Sequence, residues 1–385
     1  MKHQHHSGGF TLVEVLVAAG IIVIIMGVLL GMTDQTQRLV KATSSKVEQF
    51  QEARVAFESM TRRLSQATLN TFWDYQYNSS GQPSGYQRTA ELRFRSGAMK
   101  DLNPSGGPGG NVQPGHGVFF QAPIGMVDDT TNLGAMDHLM NTWGYFLEVG
   151  TDADKFPTFL KAVVNPRKRY RLMEFMEPSE KLSVYRYQSD SLNRNWFSQS
   201  LIKTNRPARV LAENIVALVI MPRLSLADER NINDSKHVSL STQVVLPPST
   251  KPSYGFDSMK DLSTDVALFN SLTPIEQALL NPISQLPPVV QVVMVAIDEP
   301  SARRLEDLHG SDAYLGISTN PDPKSKKILF TDPSLLNDST KGTGDITRFQ
   351  DLLSSASNPN IRASYRVFSS NVTIKGAKWS MHTGQ

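Results

Sequence analysis

The longest apolar stretch of the chain lies near its start, where residues 10–32 read FTLVEVLVAAGIIVIIMGVLLGM. Its single ionisable side chain is Glu14, and the next charged residue after it is Asp34. A helix of this length covers roughly 35 Å, which exceeds the roughly 30 Å hydrocarbon core of a bilayer. The pattern therefore predicts a transmembrane helix over residues 10–32.

An amphipathic helical pattern follows directly, over residues 33–70. Apolar side chains recur there at three- and four-residue spacing while charged side chains occupy the other faces, and no Gly or Pro interrupts the segment. We expect one continuous helix from the membrane to residue 70, whose outer half packs as a spine against a sheet. The side chains expected to make that contact are Phe50, Phe57, Met60 and Leu64.

The rest of the chain, residues 71–385, is rich in strand patterns separated by turn residues. Three segments alternate apolar and polar residues and predict strands with one wet face, at 90–96, 143–150 and 170–176. Two more continuously apolar segments predict central strands covered on both faces, at 214–221 and 287–297. Residues 365–380 predict a final hairpin that includes Trp379.

Short helices and long loops complete this second part of the chain. Helices are predicted at 301–310, with Ser301 as the N-terminal cap, and at 346–356. A glycine- and proline-rich insertion at about 101–117 predicts a flexible loop, and a polar insertion spans about 226–288. The prediction is an α+β fold, with a long N-terminal transmembrane and amphipathic helix packed on an antiparallel sheet head enlarged by loop insertions.

Composition and charge narrow the function classes. The chain has 385 residues, no cysteine, and 39 basic against 36 acidic side chains. This balance gives no electrostatic footprint for nucleic acid, so no nucleic-acid partner is expected. Without cysteine, disulfides and thiolate chemistry are excluded. Lys2 and three histidines precede the apolar run, which predicts a cytoplasmic N-terminus and an extracytoplasmic head.

The order of small and apolar residues differs from that of an ordinary secretory signal, whose cleavage site follows the apolar region. Here Gly8 and Gly9 come before it, so a cut after Gly9 would leave the helix attached. The stretch GGFTLVEVLVA resembles the class III signal of type IV prepilins and type II secretion pseudopilins. That resemblance implies residues 1–9 as a leader, cleavage by a prepilin peptidase between Gly9 and Phe10, and N-methylation of Phe10.

The resemblance also implies a bacterial inner-membrane protein with a periplasmic head. Its expected partners are prepilin peptidase, other pilin-like subunits that dock through the N-terminal helix, and the inner-membrane assembly machinery. Glu14 would be the fifth mature residue, and we hypothesise that it pairs with the new α-amino group of a neighbouring subunit and sets register during assembly. The alternative is that Glu14 reaches the cytoplasmic interface of a monomeric anchor.

A second resemblance covers about a third of the chain. LAENIVALVIMPR, LPPVVQVVMVAIDEPSARRLE and SYRVFSSNVTIKGAKW are similar to the C component of a cassette of pilin-like proteins in verrucomicrobial bacteria, and more loosely to large J-type minor pseudopilins of type II secretion. This resemblance implies a minor subunit, incorporated into a type IV pilus-like or type II secretion-like filament or priming one.

No convergent catalytic set is visible, so the protein is not expected to be an enzyme. The histidines outside the leader are dispersed and are expected at the surface or in loops, namely His116, His138, His237, His309 and His382. No metal site or cofactor is predicted, although carboxylates at Asp128, Asp129 and residues 320–323 leave calcium open as an alternative. The competing function is a membrane-tethered extracytoplasmic enzyme or binding module that uses the prepilin segment only as an anchor.

Overall fold

The structure is a computed structural model that describes residues 11–136, 138–151, 163–187, 195–225, 254–261, 281–309, 329–336, 344–354 and 362–377, with a few isolated positions between 157 and 277. The chain divides into two compact units, residues 1–51 and residues 52–385. Helix α1, Leu12–Leu64, is 53 residues long and crosses this boundary.

Helix α1 ends at Leu64, six residues before the predicted end at residue 70. The backbone after it is bonded elsewhere: Thr68 N–H donates to the Gln121 carbonyl at 2.9 Å, and the Ser65 carbonyl accepts from Lys375 N–H at 3.0 Å. These partners belong to distant parts of the head, and they satisfy groups that a longer helix would have paired internally. A local periodicity cannot register such partners.

The remaining elements, in chain order, place most of the predicted strands. The strands are β1 (Thr71–Tyr77), β2 (Pro83–Ala90), β3 (Arg95–Ala98), β4 (His116–Pro123), β5 (Met140–Thr151), β6 (Lys168–Glu177), β7 (Ala208–Glu213), β8 (Ile215–Arg223), β9 (Phe256–Asp257), β10 (Val289–Ile297) and β11 (Tyr365–Thr373). The α-helices are α2 (Met99–Leu102), α3 (Thr130–Leu133), α4 (Ser198–Leu201), α5 (Glu299–His309) and α6 (Asp345–Ser354).

The strands form antiparallel sheets, which confirms the α+β class. Within the described residues, one sheet has the order β7-β6-β5-β4-β3-β9, a second has the order β11-β10-β8, and β1 and β2 form a separate hairpin. The segments predicted at 143–150, 170–176, 214–221 and 287–297 lie in β5, β6, β8 and β10. The two predicted short helices correspond to α5 and α6.

The prediction of one wet face for β5 and β6 is wrong, because both faces are buried. On one face Val149 and Tyr170 pack with Val216 of β8 and Val293 of β10. On the other face the ring of Phe146 belongs to a second cluster that includes Phe175, Trp196 and Phe197. The polar alternation of these strands therefore places charged side chains inside the head rather than in water.

The strand predicted at 90–96 is interrupted over residues 91–94 because side chains take up its backbone amides. Asn70 Oδ1 accepts from the amides of Glu91 and Leu92, Gln121 Oε1 accepts from Arg93, and Ser258 Oγ accepts from Phe94. A backbone amide that is satisfied by a side chain has no need of a ladder partner.

Two further expectations need correction. Helix α5 begins at Glu299, and its cap is Asp298 rather than Ser301, since Asp298 Oδ1 accepts from Ser301 N–H at 3.0 Å. The predicted hairpin at 365–380 contains a single strand, β11, whose nine residues all pair with β10. Trp379 and the rest of the second arm lie outside the described residues, as do residues 226–253 of the polar insertion.

Candidate functional site

The N-terminal turn of α1 is built around Thr11 and Glu14. Glu14 Oε2 accepts from Thr11 N–H at 2.9 Å and from the Thr11 hydroxyl at 3.0 Å, and Glu14 N–H donates to Thr11 Oγ1 at 3.4 Å. This reciprocal pairing is a capping box, which satisfies amides that the first helical turn leaves unpaired. Gly9 and Phe10, the predicted cleavage and methylation residues, lie outside the described residues.

The first half of α1 has the length and composition of a membrane span. Over Leu12–Gln37 its mean hydropathy is 2.9, and no part of the most apolar window is buried by the rest of the protein. This segment is 26 residues long, or roughly 39 Å as a helix. In the part of the chain that the structure describes, it is the one helix that meets these two criteria.

The last turns of α1 belong to the head and are buried there. Met60 and Leu64 are fully buried, and the Phe57 ring lies 5.8 Å from that of Phe368 on β11. Phe50, in the preceding unit, is half-buried. Burying one apolar side chain of this size contributes about 1.5–3 kcal/mol, so these turns are a substantial part of the head core.

A charged cluster, which the sequence did not reveal, joins the same turns to the sheet. Glu174 of β6 is fully buried and accepts from Arg63, from the Tyr145 hydroxyl at 3.0 Å, and from Arg209 Nε at 2.7 Å. The Arg63 guanidinium also lies 4.3 Å from the centre of the Trp143 ring. Burial, with the nearby Glu174 charge, raises the pKa of Tyr145, so its hydroxyl keeps the proton that it donates.

Beside this cluster lies an open cleft of about 540 Å³. Its lining includes both acidic and basic side chains, namely Asp128, Glu174, Glu177, Lys181, Lys203, Arg206 and Arg209. Most of these charges pair with one another: Lys181 contacts Asp128, and Arg206 and Arg209 contact buried glutamates. The pairing favours a structural role for the cleft wall over a reactive one.

Glu177 is the cleft carboxylate with a displaced titration. Burial raises its pKa, against the opposing effect of hydrogen bonds from the Ser183 amide at 3.1 Å and hydroxyl at 2.7 Å. The Ser200 hydroxyl donates as well, at 3.3 Å. Both serine hydroxyls therefore act as donors to a carboxylate, which fixes the loop after β6 but leaves them poor nucleophiles.

The glycine-rich insertion packs around a second buried glutamate, which corrects the prediction of a flexible loop. Arg206 holds Glu148 with two bonds of 2.6 and 2.7 Å, and the side-chain amides of Asn111 and Gln113 each donate to it at 3.1 Å. A Cβ on Gly107 would lie 2.5 Å from Glu148 Oε2, so glycine at this position is a packing requirement.

His116 is fully buried, contrary to the expectation of a surface or loop histidine. It lies between the two large sheets: Nδ1 accepts from Ile220 N–H of β8 at 3.2 Å, and Nε2 lies 3.1 Å from the Phe330 carbonyl. The Tyr254 ring packs against it at 4.4 Å. Burial lowers the pKa of His116 from 6.5 to about 4, which keeps the imidazole neutral.

The other candidates for chemistry are not brought together. Asp129 caps α3 by accepting from the amides of Thr131 and Asn132, and His138 is exposed. Among the described residues, no group of three or more His, Asp or Glu side chains has the spacing of a metal site. Residues 320–323, His237 and His382 lie outside the described residues, as does the His309 side chain.

Comparison with known proteins identifies the N-terminal segment. Residues 4–30 match the family model of the prokaryotic N-terminal methylation motif, and the match includes Gly9, Phe10 and Glu14. No curated protein and no solved structure matches the chain. The segment is a prepilin-type signal, and the apolar helix that follows it is a membrane anchor.

The motif and the helix together define a class of protein. This is a type IV pilin-like protein whose N-terminus is processed by a peptidase and whose first helix is placed for pilin-like interactions. Its head is an antiparallel α+β unit.

Proposed function

We propose that the protein is a minor pilin-like subunit, a pseudopilin, with a structural rather than catalytic function. Prepilin peptidase cuts between Gly9 and Phe10, Phe10 is methylated, and the mature chain stays in the inner membrane with its head in the periplasm. From there it enters, or primes, a type IV pilus-like or type II secretion-like filament. The observation that carries the proposal is the methylation motif at residues 4–30, continuous with an exposed apolar helix.

The structure of the head supports a non-catalytic role. The described carboxylates that are most deeply buried, Glu148 and Glu174, are tied to arginines, and the serines near Glu177 donate to it. Such groups stabilise the head but are not arranged as a nucleophile with its base.

The first prediction tests processing. Co-expression with a prepilin peptidase should yield a membrane-extracted protein whose first peptide begins at N-methylated Phe10, as read by mass spectrometry. Without the peptidase the peptide should begin at Met1. Replacing Gly9 with leucine should abolish the cut even when the peptidase is present. An intact leader on the wild type in both samples would leave only an anchor and would favour the tethered enzyme or binding module.

The second prediction separates two roles of Glu14. Glutamine can replace glutamate in a capping box, because its carbonyl oxygen still accepts from the Thr11 amide. It cannot form an ion pair with the α-amino group of a neighbouring subunit. We therefore expect Glu14→Gln to be cleaved normally but to enter filaments about tenfold less than wild type, a loss that corresponds to about 1.4 kcal/mol.

The measurement is the amount of the subunit in sheared filaments relative to the amount in the membrane. Glu14→Ala, which removes both the charge and the cap, should be impaired at least as much as Glu14→Gln. Normal incorporation of Glu14→Gln together with loss for Glu14→Ala would assign Glu14 to helix capping alone and reject the pairing hypothesis.

A further inference from the structure

The hairpin of β1 and β2 carries an exposed row of aromatic side chains. Trp73, Tyr75 and Tyr77 alternate along β1 and so lie on one face, and Tyr86 joins them because it pairs directly with Tyr75. Their exposures are 72, 47, 60 and 67 %. Large aromatic side chains usually provide buried area, so four of them at the surface of one hairpin call for an occupant.

The aromatic face is ordered before anything binds to it. The Tyr75 ring lies 5.0 Å from that of Tyr86 and 6.4 Å from that of Tyr77. The turn is fixed by Asn78, whose side-chain oxygen accepts from the amides of Ser80 and Gln82 at 3.0 and 2.9 Å. A rigid platform loses little conformational entropy when a ligand settles on it.

Composition indicates what that ligand is. Residues 71–90 read TFWDYQYNSSGQPSGYQRTA, with one acidic residue, one basic residue and no Leu, Ile, Val or Met. A nucleic-acid strand also stacks on aromatic rows, but it needs a run of cations that the hairpin lacks. A membrane-inserting or helix-docking surface would add aliphatic side chains, and a lipid-binding one would add lysines.

An uncharged ligand with flat apolar faces and many hydroxyl groups fits this composition. The C–H faces of sugar rings stack on aromatic planes, while their hydroxyls bond to tyrosine hydroxyls and to amides such as that of Gln87. Alternate residues of a strand are separated by about 6.7 Å, so the row offers stacking positions at intervals comparable with the length of one sugar unit. We propose that the hairpin is a binding site for an extended, uncharged polysaccharide.

The test uses the full-length protein in nanodiscs. Retention should be measured on insoluble or immobilised neutral glycans, including cellulose, xylan, mannan and starch, with anionic alginate for comparison. At least one neutral glycan should retain the protein, and Trp73→Ala should weaken that retention about tenfold or more. Phe72→Ala is the matched control, since Phe72 lies on the same strand but on the opposite face.

A second readout is the fluorescence of Trp73. Of the four tryptophans, Trp143 and Trp196 are buried, so iodide quenches mainly Trp73 in a Trp379→Phe background. The glycan that retains the protein should protect this signal. Failure of every neutral glycan to bind would overturn the proposal, as would equal losses in Trp73→Ala and Phe72→Ala. Protection of Trp73 by empty lipid vesicles alone would assign the face to a membrane instead.

Discussion

Replacing Glu174 with alanine should lower the free energy of unfolding of the head by about 3–5 kcal/mol. The carboxylate is fully buried and is the common acceptor of Arg63, Tyr145 and Arg209. Its removal leaves the Tyr145 hydroxyl and the inner side of the Arg63 guanidinium without that acceptor, at a cost that burial makes large. Urea unfolding of the detergent-solubilised protein, followed by circular dichroism, measures the change.

Arg209→Ala is the matched control, because the Arg209 side chain is 62 % exposed while contacting the same carboxylate. An ion-pair partner in water contributes little, so we expect a loss of about 0–1 kcal/mol. Glu174→Gln, which keeps the volume and one acceptor, should fall between the two. A loss below 1 kcal/mol for Glu174→Ala would show that the cluster does not hold the last turn of α1 to the sheet.

The elements that the sequence predicted best are those governed by local pattern. An 18-residue apolar window and continuous runs of β-branched residues, as in β8 and β10, leave little choice of structure. The error over residues 91–94 has a different origin: Asn70, Gln121 and Ser258 replace ladder partners there, and sequence separation hides them.

The same limit applies to the charged interior. Arg63 occupies a polar position of the amphipathic pattern and was expected to face water, yet it contacts Glu174, 111 residues further along the chain. His116 sits at the end of a glycine-rich segment, and its partners Ile220 and Phe330 are more than 100 residues away. Polar residues paired over such distances carry no periodic signal. The motif around Glu14 is the opposite case, since its information is contained in consecutive residues.

The stability of the head should decrease as the pH falls from about 6.5 to about 4, with His116 as the main cause. The folded-state pKa of about 4 is below the ordinary value of 6.5, so within this window the unfolded chain binds a proton that the folded head excludes. Protonation would turn Nδ1 into a donor facing the Ile220 amide, itself a donor. The loss should approach about 3 kcal/mol by pH 4, and above pH 6.5 this contribution stays constant.

Other groups titrate in the same window, so the test compares wild type with His116→Gln. Glutamine does not titrate and can still donate to the Phe330 carbonyl. Two titratable side chains lie near His116: Tyr254, whose pKa burial raises, and Asp345, which accepts from the Phe330 amide. Both are present in either protein, so their contributions cancel. The variant should be less stable at pH 7, and the difference should shrink by about 3 kcal/mol at pH 4. Parallel pH profiles would show that His116 is protonated in the folded head, against its position between two donor and acceptor groups of the backbone.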